Sequence, residues 1–115
     1  LYLDEVQVQQ IMVNLVKNSI DAILAAHQTD GRIDIRVDRM GKEVVVSVRD
    51  NGPGVPEESR RRLFESFFTT KPKGVGLGLS ICKNIAAAHG GSLSYDDPPQ
   101  GGSNFLLKLP LELIG

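Results

Sequence analysis

The sequence predicts an α+β domain: a long helix, two neighbouring strands, a short helix, a second full helix and two closing strands. Three observations carry this. The run from Asp4 to Ala26 is rich in Val, Ile, Leu, Met and Ala. The segments RIDIRVD and EVVVSVRD alternate apolar and polar residues with the period of a strand. A further apolar helical stretch from about Gly76 to His89 is closed by Gly90 and Gly91, and SLSYD and SNFLLKL follow it.

Asp4 is the expected N-cap of the first helix. At ~100° per residue, Gln7, Gln10, Asn14, Lys17, Asn18 and Asp21 fall on one stripe, with apolar residues over most of the remainder. That balance predicts a mostly buried helix whose polar stripe faces something other than open water. In the first strand Ile33, Ile35 and Val37 alternate with charged residues, a half-buried pattern. After a turn at Met40-Gly41-Lys42, the second strand puts Val44, Val46 and Val48 on one face, and the same parity carries Asp50 inward. NGPGVP is a turn region. Pro56 opens a short helix with Glu57 and Glu58 in its first turn, as the helix dipole favours. FFTTKPKGVG reads as a loop. In the last strand, entered through a turn around Pro98 to Gly102, Ser103 shares the inward parity of Phe105, Leu107 and Leu109.

At 115 residues, 41% hydrophobic and 23% charged, the chain suits one folded domain with its own core. A net charge of −1 gives no electrostatic footprint for nucleic acid. Arg60, Arg61 and Arg62 form the one basic cluster and read as a solvated helix face. No apolar run approaches the ~20 residues of a membrane span. The single cysteine, Cys82, excludes an internal disulfide and reads as a small core residue. His27 and His89 fall near helix C-termini, where the dipole favours them. Without an initiator Met, and opening on Leu1-Tyr2-Leu3, the chain reads as a piece of a longer protein.

GVGLGLS is not a P-loop, because the G-K-[ST] ending is missing. Leu79 stands where a dinucleotide fingerprint needs its last glycine. What remains is a glycine-rich segment running into a helix N-terminus, suited to phosphate or simply a flexible loop. Asp50, inward at the end of a strand in DNGPG, either caps its own turn or accepts a hydrogen bond from the exocyclic amine of adenine. Gly52 and Gly54 would then let the backbone approach the base. Asn14 and Asn18, at i and i+4, point the same way. Amide oxygens of this kind suit Mg²⁺ held together with phosphate oxygens. The competing reading is a wetted polar stripe.

These residues resemble one family. QIMVNLVKNSIDA is similar to the N box of the sensor histidine kinases, and DNGPG to their first glycine box. LFESFFTTK resembles the phenylalanine box, and GVGLGLSI the second glycine box. HGGSLSY and GGSNFLLKLP resemble the closing strands. The order and spacing match over nearly the whole chain. The likeness is to the catalytic, ATP-binding domain, within the superfamily of DNA gyrase, heat-shock chaperone and mismatch-repair ATPases.

The resemblance implies a two-layer α/β sandwich: a mixed, mainly antiparallel sheet with helices on one face and ATP at the helical layer. Residues 1–115 would be one catalytic domain. Asn18 would coordinate Mg²⁺ with Asn14 in support, and Asp50 would read adenine. Ala22, Val55 and Leu79 would line the ATP site with Gly52 and Gly54. Phe64 to Leu77 would form the lid, with Thr69, Thr70 and Lys71 near the phosphates and Gly74, Val75, Gly76, Leu77 and Gly78 giving close approach. Ser103 stands where the family usually has threonine, and keeps the hydroxyl. At 21 many relatives carry lysine; Asp21 here shifts the cationic role to Lys17.

The implied reaction passes the γ-phosphoryl group of Mg·ATP to a histidine on a separate helical dimerisation domain, for onward signalling to a response regulator. No phosphoacceptor histidine is recognisable here, so little self-phosphorylation is expected. The implied location is cytoplasmic, without membrane contact by this domain and compatible with a membrane-anchored parent. Two relatives within the superfamily compete. One is an ATP-gated clamp or chaperone-like ATPase, which places a catalytic glutamate beside the metal-binding asparagine; here the first helix has Glu5 alone, more than two turns before Asn14. The other is a serine-directed kinase of the anti-sigma type.

Overall fold

A computed structural model describes residues 4–66 and 78–110. Helix α1 spans Glu5–Ala25. Asp4 caps it as expected, its Oδ1 accepting the Gln7 N–H at 3.1 Å. At the far end His27 takes a left-handed φ of 54° and donates its N–H to the Leu24 carbonyl, one of the orphaned last-turn acceptors. Strands β1 (Ile33–Met40) and β2 (Glu43–Asp50) form a hairpin across Gly41. The short α2 (Glu57–Arg60), then α3 (Gly78–Ala88), β3 (Ser92–Asp96) and β4 (Ser103–Pro110) complete the described elements.

The strands form one sheet in the order β1-β2-β4-β3, and all three pairings are antiparallel. Both helices of any length lie on one face of it. Ile11 and Leu15 of α1 and Cys82, Ile85 and Ala86 of α3 pack on Val48, Leu93, Phe105, Leu107 and Leu109. The period-two inward parity read from β2 and β4 is therefore the parity of the core.

His89, just past α3, ties the two helices together. Its Nδ1–H donates to the Ile85 carbonyl at 2.8 Å, and its Nε2 accepts the Asp4 N–H at 3.0 Å. This is the structural role expected of it.

Two burial expectations need correction. Ile35 and Val37 share the core-facing parity, lying opposite Val48 and Val46, yet they are 51% and 67% exposed. β1 is the edge strand, and the described helices reach only its start, where Ile33 packs against the core. Helix α1 is also less buried than its composition suggests. Ile11, Leu15, Ser19 and Ile23 form the one fully buried stripe, while Val6, Val13, Ile20 and Leu24 are exposed. Both errors have one origin: an apolar residue marks a face, and a neighbour has to reach that face to bury it.

Truncating Leu107, fully buried on the helix-facing side of β4, to alanine should cost about 2–5 kcal/mol of stability. Val37→Ala should stay within about 0.5 kcal/mol of wild type, as exposed positions do. Urea unfolding of the two variants checks the difference.

Candidate functional site

β2 and β4 pair so that Asp50 and Ser103 lie directly opposite one another at the end of the ladder. Both are buried, at 4% and 6% exposure. Asp50 Oδ1 accepts the Gly52 N–H at 2.9 Å, so the Asx-type turn is formed. Among the described residues no ion pair reaches this carboxylate. A buried carboxylate with one backbone donor has capacity left for another, and an N–H of a ligand would supply it.

The backbone around the pair is close-packed. Gly54 has φ +79°, and a Cβ there would stand 2.9 Å from the Gly102 carbonyl oxygen. Gly102 has φ +88°, and a Cβ on it would collide with the Asp50 carbonyl. Glycine at both positions lets the 51–56 loop and the β4 entrance approach each other beside Asp50.

The 51–56 loop is tied down at several points. Asn51 Oδ1 accepts the Arg32 N–H at 2.6 Å, and its Nδ2 donates to the Asp30 carbonyl at 2.9 Å. Val55 is held by both backbone groups. Its N–H donates to Tyr95 Oη at 3.3 Å, and its carbonyl accepts Arg60 Nε–H at 3.0 Å. Arg60 also pairs with Asp97 at 3.0 Å. The Arg60–Arg62 cluster is thus more than a solvated face: Arg60 joins the loop to the end of β3.

Helix α1 connects this end of the sheet to the start of α3. Near its C-terminus, Ile23 packs against the Asp50–Gly52 turn. Asn14 faces Gly78, the first residue of α3, whose Cβ, were there one, would lie 3.7 Å from Asn14 Oδ1. The Asn14 amide also hydrogen-bonds the Cys82 thiol. Nine residues along a helix, from Asn14 to Ile23, span about 14 Å, comparable with an extended nucleoside triphosphate. Asn18 lies between them, one turn on from Asn14. Ala22 is half-buried, and Lys17 is exposed. Asn18 and Asp21 both have interaction partners within the fold.

Leu79 packs against the core. Phe64 meets Phe105 edge-on at 6.4 Å and carries Lys83 Nζ over its ring at 4.8 Å. Thr69, Thr70, Lys71, Gly74, Val75, Gly76 and Leu77, with most of the expected lid, lie outside the described residues.

The profile of the family described as "Histidine kinase-, DNA gyrase B-, and HSP90-like ATPase" matches residues 3–113. The chain belongs to this family. Within it the likeness is to histidine kinases. The catalytic domain of histidine kinase ThkA superposes with a TM-score of 0.80 at 39% identity, over 93% of this chain and 68% of that one. Full-length ShkA, solved in complex with AMPPNP, aligns at 30% identity with a TM-score of 0.77, over 90% of this chain and 21% of that one. The sensor histidine kinase TmoS of Ectopseudomonas mendocina is 36% identical over 110 residues, covering 94% of this chain. The chain spans 11% of the length of TmoS, and 17% and 20% of two further sensor proteins that it matches. The histidine kinase catalytic domain is therefore the fold and family of this chain.

Sequence reasoning passed over Tyr95 and Ser19, read Arg60 only as part of a solvated face, and read Cys82 as the small core residue that it is. A tyrosine at an inward position of SLSYD is a usable signal, because a buried phenol needs a partner. Ser19 carries a subtler one. Its hydroxyl sits in the buried stripe of α1 without a hydrogen-bond partner.

Burial pushes the Cys82 thiol up from its ordinary value of 9.0, and the Asn14 hydrogen bond offsets part of the rise. The folded chain therefore keeps a proton that the unfolded chain releases, and stability falls as pH rises above about 9. Urea unfolding from pH 7 to 10 should show this decline for wild type and a shallower one for Cys82→Ala.

Proposed function

We propose that this catalytic domain binds Mg·ATP along α1. Adenine would sit at the Asp50–Ser103 end and the phosphates between Asn14, Asn18 and the start of α3. The γ-phosphoryl group would pass to a histidine on a separate helical dimerisation domain. The observation that carries the reading is the span of α1: one helix touches the buried carboxylate turn at Ile23 and the N-terminus of α3 at Asn14. The AMPPNP complex of ShkA supports a nucleotide in this fold.

The donor set fits a hard cation. Asn14 uses its amide on the Cys82 thiol, and its Oδ1 lies toward the α3 N-terminus. Amide oxygens with phosphate oxygens and water are suitable Mg²⁺ ligands. When bound, Mg²⁺ would neutralise charge on the phosphates. Asp50 would take the exocyclic N–H of the base and fix its register. The N-terminus of α3 would meet the phosphates, and Lys17 would add positive charge from the exposed side of α1.

In the transfer itself, a bond forms between the γ-phosphorus and an imidazole nitrogen while the bond to the ADP oxygen breaks. This domain supplies position and electrostatics. The nucleophile belongs to the partner domain, and the phosphoryl group would move on to a response regulator. The clamp-type ATPase reading fits less well. Glu5 is nine residues from Asn14, about 14 Å along the axis, too far to act at a metal held there.

Calorimetry should show Mg²⁺-dependent ATP binding by the chain. Asn18→Ala should weaken Mg·ATP at least tenfold and leave adenosine within twofold. Asp50→Asn should weaken both by tenfold or more. Equal losses in the two variants, or no binding by folded protein, would contradict the assignment. With labelled ATP, phosphohistidine should form only when the phosphoacceptor domain of the parent kinase is added; steady hydrolysis by the chain alone would favour the clamp reading.

A further inference from the structure

We infer that Tyr95 is a positioning residue that fixes the hydrogen-bond polarity of Ser103, so that Asp50 and Ser103 present one acceptor and one donor to the base and select adenine over guanine. The inference rests on the proposed role of Asp50 and Ser103 at the base.

The direction of the chain of bonds is set at its start. The Val55 N–H can only donate, and it donates to Tyr95 Oη at 3.3 Å. The phenolic proton is then turned to Ser103 Oγ, 3.4 Å away. Ser103, having accepted that hydrogen bond, keeps its own O–H for a third partner. Asp50 stands opposite Ser103 across the β2–β4 ladder and, as a carboxylate, can only accept. An edge with an N–H donor beside a ring-nitrogen acceptor, as adenine's amine and N1 provide, matches that pair. Guanine's carbonyl and ring N–H reverse it.

Two features hold Tyr95 for this task. Its ring meets Phe105 edge-on at 5.3 Å, with the planes at 67°, and Val55 is fixed from its other side by Arg60. Serine also has more χ1 freedom than threonine, because it lacks the β-branch. A bond from outside is thus needed to orient its hydroxyl. The Oη to Oγ separation is long for O–H···O. A base drawing on the Ser103 proton polarises the chain and shortens it.

Tyr95→Phe keeps the ring and its Phe105 contact, so the fold should survive, with thermal unfolding as the control. The test is calorimetric titration of the 115-residue chain with Mg·ATP, Mg·GTP and Mg·1-deaza-ATP, which lacks the ring acceptor. Tyr95→Phe should weaken ATP five- to tenfold, leave 1-deaza-ATP within twofold and reduce the ATP/GTP preference. In a Ser103→Ala background the same change should have no further effect. Unchanged ATP affinity, equal losses for ATP and 1-deaza-ATP, or an undiminished effect without the Ser103 hydroxyl would each overturn the inference. Asp50→Asn separates the levels: if it weakens ATP and Tyr95→Phe does not, the relay alone fails; if it leaves ATP unaffected, the base-site reading falls and the relay with it.

Discussion

The antiparallel pairing of β2 with β4 is the constraint from which the rest of this molecule follows. It buries a carboxylate beside a hydroxyl at the edge of the helical layer, with Asp50 and Ser103 in register. Burying a carboxylate without a cation is unfavourable. The fold meets part of that cost with one backbone N–H, from Gly52. Around the pair the chain is held closely. Two glycines with positive φ bring the flanking backbones together, and Tyr95 and Arg60 clamp Val55 from opposite sides. The result is a rigid polar corner in an otherwise apolar layer.

Helix α1 gives that corner its reach. Its buried stripe anchors it on the sheet through Ile11 and Leu15. Its last turns then meet the Asp50 loop, while its middle presents Asn14 toward α3. Asparagine is a mediocre helix former, and a helix stabilised by packing can carry two of them at i and i+4. The neighbouring Cys82 gives Asn14 a partner inside the core. His89 joins the start of α1 to the end of α3, so the two helices are fixed to each other. In the proposed function, recognition of the base and placement of the phosphates would thereby be coupled through one helix.

Much of this was legible in the sequence, for physical reasons. Period-two alternation in EVVVSVRD and SNFLLKL gave the inward side of both central strands, and simple parity put Asp50 and Ser103 on it. Asp4 and the helix-end glycines marked element ends through cap chemistry. Burial at the periphery was less legible. Ile35 and Val37 have the right parity, but burial depends on whether a second layer reaches them, and a strand's sequence does not encode its position at the sheet edge. Contacts between residues distant in sequence were also hidden. Tyr95 with Val55, Arg60 with Asp97 and Asn14 with Cys82 meet only once the sheet is assembled, and each is made of residue types common on any surface or core. Tyr95 could have been found, since a phenol on an inward face requires a partner, whereas Arg60 gave no such signal within its run of three arginines.

The central claim is that a single nucleotide lies along α1, touching the carboxylate corner at one end and the asparagines at the other. The most direct measurement is an amide and side-chain NMR titration of the chain with a non-hydrolysable ATP analogue and Mg²⁺. The account predicts simultaneous, saturable shifts at Asn14, Asn18, Gly52, Gly54 and Ser103, with β1 residues such as Val37 unmoved. Shifts confined to the cleft lined by Arg60, Lys83 and Asp97, with the asparagine side chains and the Asp50 turn unchanged, would contradict it.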